Sequence, residues 1–217
     1  MDFMHPIASL FSILGALALG AISPGPSFLF VTRTAVAVSR PAGIMAAAGM
    51  GLGAALISAL ALLGVRAVVS QAEWLYLGFK LLGGGYLCYL AWRLWSGARD
   101  VTADTAIQST SPPPVSPGRS FWLALATQLS NPKTLLVIGG IFAALLPAHV
   151  PVWMYFAIPV IQLFVESCWY TFVAVAMSSS RPRRVYLQAR GQIDRAAGCV
   201  LGVLGLRLLY EGARGAV

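Results

Sequence analysis

The chain is short of charge. Of its 217 residues seven are acidic and fifteen basic, so 10% are charged against 58% hydrophobic. Soluble domains carry about 25% charged residues. A water-soluble fold could not clothe its surface with so few, and the mean hydropathy of +0.78 points to a polytopic membrane protein. Metal- and redox-type residues are equally scarce. Cys88, Cys168 and Cys199 sit singly in apolar runs with no C-x-x-C, as small apolar packing residues do. His5 and His149 have no second ligand at metal spacing. There is no H-E-x-x-H, no aspartate pair and no histidine cluster. An enzyme needs such a constellation, so no catalysis, cofactor or bound metal is expected. Basic and aromatic residues are not interleaved as on a nucleic-acid surface, and no nucleic-acid partner is expected. The start, Met1-Asp2-Phe3-Met4-His5, lacks the basic flank of a secretory signal. It is read as leading into a retained span.

What is there is long apolar sequence. A spanning helix needs about 20 mostly apolar residues. Six segments qualify, at 6–30, 43–65, 73–95, 119–146, 152–177 and 194–212. The last is diluted by Gly198, Gly202 and Gly205. On the second, Gly49 and Gly53 form a G-x-x-x-G, which predicts a close helix contact. Arg33, Arg40, Arg93, Arg99, Arg119, Arg181, Arg183, Arg184, Arg190 and Arg195 fall on one face of this arrangement. Arg66, Arg207 and Arg214 fall on the other. The positive-inside rule places the richer face in the cytoplasm and both termini outside it. Aromatic residues such as Trp92, Trp95, Trp153, Trp169 and Tyr170 read as an interfacial belt.

The chain forms one membrane domain, 1–217, with an internal division. Residues 96–118, with Ser111-Pro112-Pro113-Pro114-Val115-Ser116-Pro117-Gly118, read as a flexible cytoplasmic linker. It separates two three-span units, 1–95 and 119–217. The third span contains Gly84-Gly85-Tyr86-Leu87, ending in Arg93-Leu94. The sixth contains Gly198-Cys199-Val200-Leu201, ending in Arg207-Leu208, without a gap between the two registers. A unit of three spans is odd, so its second copy enters the membrane from the opposite side. The expected fold is all-α, six transmembrane helices as two inverted repeats.

Spans 1 and 4 are each interrupted by a proline motif. The first is Ser23-Pro24-Gly25-Pro26-Ser27, the second Ser130-Asn131-Pro132-Lys133-Thr134. Lipid offers no hydrogen bonds, so broken backbone at membrane depth is tolerated only where protein or a wet cavity surrounds it. Proline removes a helical donor. The freed N-terminal end of the second half-helix then suits a carboxylate, with Ser23 and Ser27 supplying hydroxyls. A plain proline kink is the simpler alternative. Lys133 and Lys80 are the only lysines, and both lie in apolar segments. Lys133 lies ~18 Å along the helix from Phe121, near mid-bilayer, where a charge costs at least ~2.5 kcal/mol and marks function by default. It is read as a substrate-binding or charge-coupling group, with Gln128 and Asn131 as polar neighbours; a structural ion pair is the alternative. Glu166, in Gln162-Leu163-Phe164-Val165-Glu166, is a candidate proton relay or ammonium partner, or a fixed partner for Lys133. Lys80 is either a third charge-coupling group or a residue whose stem snorkels to the interface.

Together these motifs resemble the LysE/RhtB family of amino-acid exporters. The resemblance rests on Ser23-Pro24-Gly25-Pro26, on Phe79-Lys80-Leu81-Leu82-Gly83-Gly84-Gly85-Tyr86, on Asn131-Pro132-Lys133, and on Asp194-Arg195 with Gly205-Leu206-Arg207-Leu208. The chain departs from the usual pattern at Ser27, at Pro147-Ala148-His149 and at Glu166, where the family often has Asp. The resemblance implies six spans in a bacterial inner membrane and efflux of amino acids or similar zwitterions in exchange for protons. Homo-oligomers are compatible with it. The alternative is cation or metal efflux, although such sites gather several carboxylates or His/Cys ligands and Glu166 is the one acid well inside a span.

Overall fold

The computed structural model describes residues 4–22, 25–71, 73–96, 116–147, 150–178 and 180–214. Ser23, Pro24, His149 and residues 97–115 of the expected linker lie outside the described residues. All regular structure among the described residues is helical: α1 Met4–Ile22, α2 Pro26–Arg33, a π-helical turn Thr34–Val38, α3 Arg40–Gln71, α4 Glu73–Trp95, α5 Pro117–Leu129, α6 Pro132–Leu145, α7 Val152–Met177 and α8 Ser180–Arg214.

Among the described residues, three stretches are long and apolar enough to cross a bilayer: Arg40–Gly64, Val152–Met177 and Gly191–Arg214. Pro6–Ile22 and Pro26–Val38, bent by 56°, qualify together as a fourth. α6 is apolar but has only 14 residues, ~21 Å of helix against a hydrocarbon core of about 30 Å. Two helices outrun the apolar windows seen in sequence. α3 starts at Arg40 and runs to Gln71, and α8 starts at Ser180 and takes in Arg181, Arg183, Arg184 and Arg190, which precede the apolar segment 194–212. Arginine and glutamine are good helix formers, and Pro182 falls in the first turn, where it is tolerated. Hydropathy measures how much of a helix lipid can cover, not where the helix ends.

The helix starts follow from local chemistry. Ser116 caps α5 by accepting from the Arg119 N–H, with Pro117 in the first helical position. Asn131 caps α6 through the Lys133 N–H, followed by Pro132. Gly25, in extended conformation, precedes Pro26 at the start of α2. Proline there sacrifices no helical bond, because the first N–H groups are orphans in any case.

α3 packs between α5 and α7, and α4 packs against α8. The expected close contact at Gly49 and Gly53 is present. A Cβ on Gly49 would strike the Phe121 carbonyl oxygen, and one on Gly53 would lie 2.7 Å from Gln128 Cβ. Gly51, between them, turns to α7, where a Cβ would collide with the Ser167 hydroxyl. This stretch of α3 therefore draws α5 and α7 in on two sides. The α4–α8 pair is equally tight: a Cβ on Gly84 would lie 3.0 Å from the Gly205 oxygen, and one on Gly205 2.8 Å from the Gly84 oxygen.

The apolar interior divides in two. One cluster gathers Ile13, Leu17, Ile57, Ile138, Phe142 and Ile158 among its members. The other gathers Phe28, Val31, Met50, Ala124, Tyr170 and Val173. Along α1–α2, along α5–α6 and along α7, the chain passes from one cluster to the other. In each case buried polar side chains fall at the crossing point: Ser27, then Gln128 and Asn131, then Gln162 and Glu166.

Candidate functional site

The two helix breaks meet. Asn131 Nδ2 donates to Ser27 Oγ at 2.9 Å, so the cap of α6 holds the first turn of α2. Conversely, a Cβ on Gly25 would lie 3.2 Å from both Cδ and Nζ of Lys133. The cap of α2 thus has no side chain where the first turn of α6 comes close. In each half-helix the cap residue faces the second helical residue of the other. Both N-termini, with their free N–H groups and partial positive charge, converge here, joined by the Lys133 side chain.

The acidic side comes from α7. Gln162, Glu166 and Tyr170 are spaced four apart, hence on one helical face, and all three line a small cavity. Glu166 is 4% exposed and accepts twice: from Gln162 Nε2 at 2.9 Å and from Gln128 Nε2 at 2.8 Å. A buried carboxylate needs such partners to be tolerated. Gln128 in turn accepts from the Ser27 hydroxyl. A directed chain results. The Lys133 N–H donates to Asn131 Oδ1 at 3.0 Å, Asn131 to Ser27, Ser27 to Gln128, and Gln128 to Glu166. Every donor points towards the carboxylate, and the chain ties both breaks to α7.

The cavity is bounded by Gly25, Ser27, Asn131, Lys133 and Thr134 from the breaks and by the α7 triplet, with Leu17 and Ile138 on its apolar walls. Its free volume of about 30 Å³ has room for about two water molecules. An amino acid enters only if the walls move apart.

The structure brings together Gly25, Ser27, Asn131, Lys133 and Glu166, all read as candidates from sequence. Pro26 and Pro132 stand at the helix starts beside them, exposed. Ser23 and Pro24 lie outside the described residues. Lys80 is not brought here. It pairs with Glu211 of α8 at 3.4 Å, next to an Arg207–Glu211 contact at 2.9 Å. Gln162 and Tyr170 were not singled out by sequence. Tyr170 is buried against the cavity instead of joining an interfacial belt. The available signal was the spacing: a glutamine one turn before a carboxylate in an apolar helix puts two polar groups on one face.

A family model described as LysE type translocator matches residues 18–212. The chain belongs to this family. It is a membrane transporter, not an enzyme. The translocator is 32% identical over 211 residues to the uncharacterized membrane protein YahN of Escherichia coli K12, covering 96% of this chain and 92% of that one. It is 31% identical over 204 residues to a threonine efflux protein of Salmonella typhi, covering 93% and 97%. A threonine efflux protein of Escherichia coli K12 is also 31% identical, over 197 residues. No solved structure matches.

Proposed function

We propose that the translocator exports amino acids or closely related zwitterions across the bacterial inner membrane in exchange for protons. One observation carries the reading: two helix N-termini and Lys133 face Glu166 and Gln162 across a single cavity between the two apolar clusters. Such a site has a basic and an acidic side lining one cavity, as a zwitterion has two oppositely charged ends. The substrate carboxylate would sit on the N-terminal N–H groups of α2 and α6 and on Lys133. Its ammonium would lie towards Glu166, which would exchange it for a proton. The efflux activity named for relatives of nearly full-length coverage supports the same substrate class.

The architecture we propose is six crossings in two inverted repeats of three, with α1–α2 and α5–α6 as the broken first span of each and both termini periplasmic. The reciprocal contact of the two breaks supports it, as does the pairing of α3 with α7 and of α4 with α8, the equivalent spans of the two units. Sites between inverted repeats near the bilayer midplane open alternately by rocking one unit against the other. The small cavity fits a state between openings.

Counterflow of radiolabelled amino acids in proteoliposomes tests the reading. The wild type should exchange at least one amino acid, and the double variant Lys133→Ala, Glu166→Gln should not. Undiminished exchange by the double variant overturns the residue assignment. An imposed pH gradient should drive net substrate movement against its own gradient, and indifference to that gradient overturns proton exchange.

A further inference from the structure

Gln162 is 1% exposed and lines the cavity. Its Nε2 is spent on Glu166, while its Oε1 is buried with no hydrogen-bond partner. Buried amide oxygens in native interiors are nearly always satisfied, and one that is not asks for an explanation. Here the neighbourhood provides one. The amide is oriented by the carboxylate it donates to, so the oxygen is held as a fixed acceptor one helical turn from Glu166, on a wall that has to move for a substrate to enter.

We propose that Gln162 Oε1 is the second acceptor for the substrate's ammonium group and makes the site selective for amino acids over carboxylates that lack one. This rests on the exporter reading above and adds to it a residue and a selectivity. An ammonium carries three N–H donors and no acceptor. Glu166 already accepts from two amides, so part of its capacity is taken. A neutral acceptor beside it completes a cradle for a primary ammonium without placing a second charge in the membrane. With an amino acid bound, the oxygen gains its missing partner. With a des-amino acid bound, it stays buried and unmatched. A site built to hydrogen-bond one substrate group rejects the analogue lacking that group.

The test is counterflow in proteoliposomes, with a panel of radiolabelled amino acids that includes L-threonine. Competition by the matching des-amino acid, 3-hydroxybutyrate for threonine, measures the discrimination. Gln162→Met keeps the volume and removes both amide groups. Gln162→Glu keeps acceptor oxygens and replaces the amide N–H with a carboxyl that shares a proton with Glu166. In the wild type the amino acid should outcompete its des-amino analogue. In Gln162→Met that preference should fall by about tenfold or more, the range set by one buried unmatched polar group. The change should appear as a raised KM for the amino acid, with the analogue's inhibition constant unmoved. In Gln162→Glu most of the preference should return.

A Gln162→Met protein with wild-type discrimination overturns the proposal. So does a Gln162→Glu protein that fails as Gln162→Met does, because an acceptor oxygen at this position would then not confer the preference. A wild type that exchanges no amino acid in the panel overturns the exporter reading itself. Gel filtration of each variant in detergent separates loss of selectivity from loss of fold, and a well-folded Gln162→Glu protein is enough to decide.

Discussion

Asn131 and Ser27 are 104 residues apart in sequence, yet the Asn131 amide donates to the Ser27 hydroxyl at 2.9 Å inside the membrane protein's interior. That bond joins the two helix breaks, and its counterpart is the approach of Lys133 to Gly25. Broken backbone at this depth is otherwise costly. Here the cap of the second break bonds the first turn after the other, and the bare Gly25 leaves room for Lys133.

Ser27 is the link shared by Asn131 and Gln128. Ser27→Ala strands the Asn131 Nδ2 donor and the Gln128 Oε1 acceptor together. We expect a loss of ~1–3 kcal/mol in stability, visible as a lower melting temperature in detergent, and weaker amino-acid exchange. Ser27→Thr, which keeps the hydroxyl, should fall closer to wild type on both measures.

Gly25→Ala separates site from scaffold. The new Cβ would sit 3.2 Å from the far end of the Lys133 side chain. That end can swing away, and the extended backbone of Gly25 suits alanine as well as glycine. The melting temperature should hold while the KM for the exported amino acid rises, because Lys133 is displaced from the cavity.

At Gly53 the scaffold itself is expected to suffer. Its Cβ would press on Gln128 Cβ at 2.7 Å and Cγ at 2.8 Å, atoms close to the α5 backbone that cannot swing aside. Gly53→Ala should cost ~1–3 kcal/mol by overpacking. It should also disturb exchange, since Gln128 holds Glu166. Gly85→Ala is the control: nothing lies within 4 Å of its would-be Cβ, and alanine is the better helix former by up to ~1 kcal/mol. Thermal melts of the two variants should move in opposite directions.

The two lysines should behave differently. Lys133 lines the cavity, and Lys133→Met should abolish exchange. Lys80 lies in the α4–α8 pair with Glu211, away from the cavity-lining residues. Lys80→Met should leave exchange rates within about twofold of wild type, the span of substitutions far from a site.

Much of the site is legible in the amino-acid sequence. A proline flanked by polar or glycine residues in an apolar run marks a helix break, whereas the lone Pro159 stays inside α7, and a lysine or glutamate at membrane depth marks function by default. Those two arguments alone single out Gly25, Ser27, Asn131, Lys133 and Glu166. Gln162 and Tyr170 are harder to see, because an uncharged amide or phenol in an apolar helix carries a smaller penalty than a charge and the same composition serves packing or an interface. Lys80 shows the limit from the other side. Its depth marks it as a candidate, but its partner Glu211 lies 131 residues away, and only the fold brings the two together.

Taken alone, the amino-acid sequence determined that this chain lives in lipid, that its regular structure is helical and that two of its helices break at proline motifs. Each follows from local chemistry: too few charges for a water-facing surface, no partner in lipid for an open backbone, no N–H on proline. The tertiary structure decided which of the polar residues meet. Close approach at Gly51 and Gly53 draws α5 and α7 against α3, and that is what lets Gln128 reach from one break to Glu166. Hydrogen bonds are short-ranged and directional. Whether residues a hundred positions apart form one is a question of packing, which no local pattern encodes.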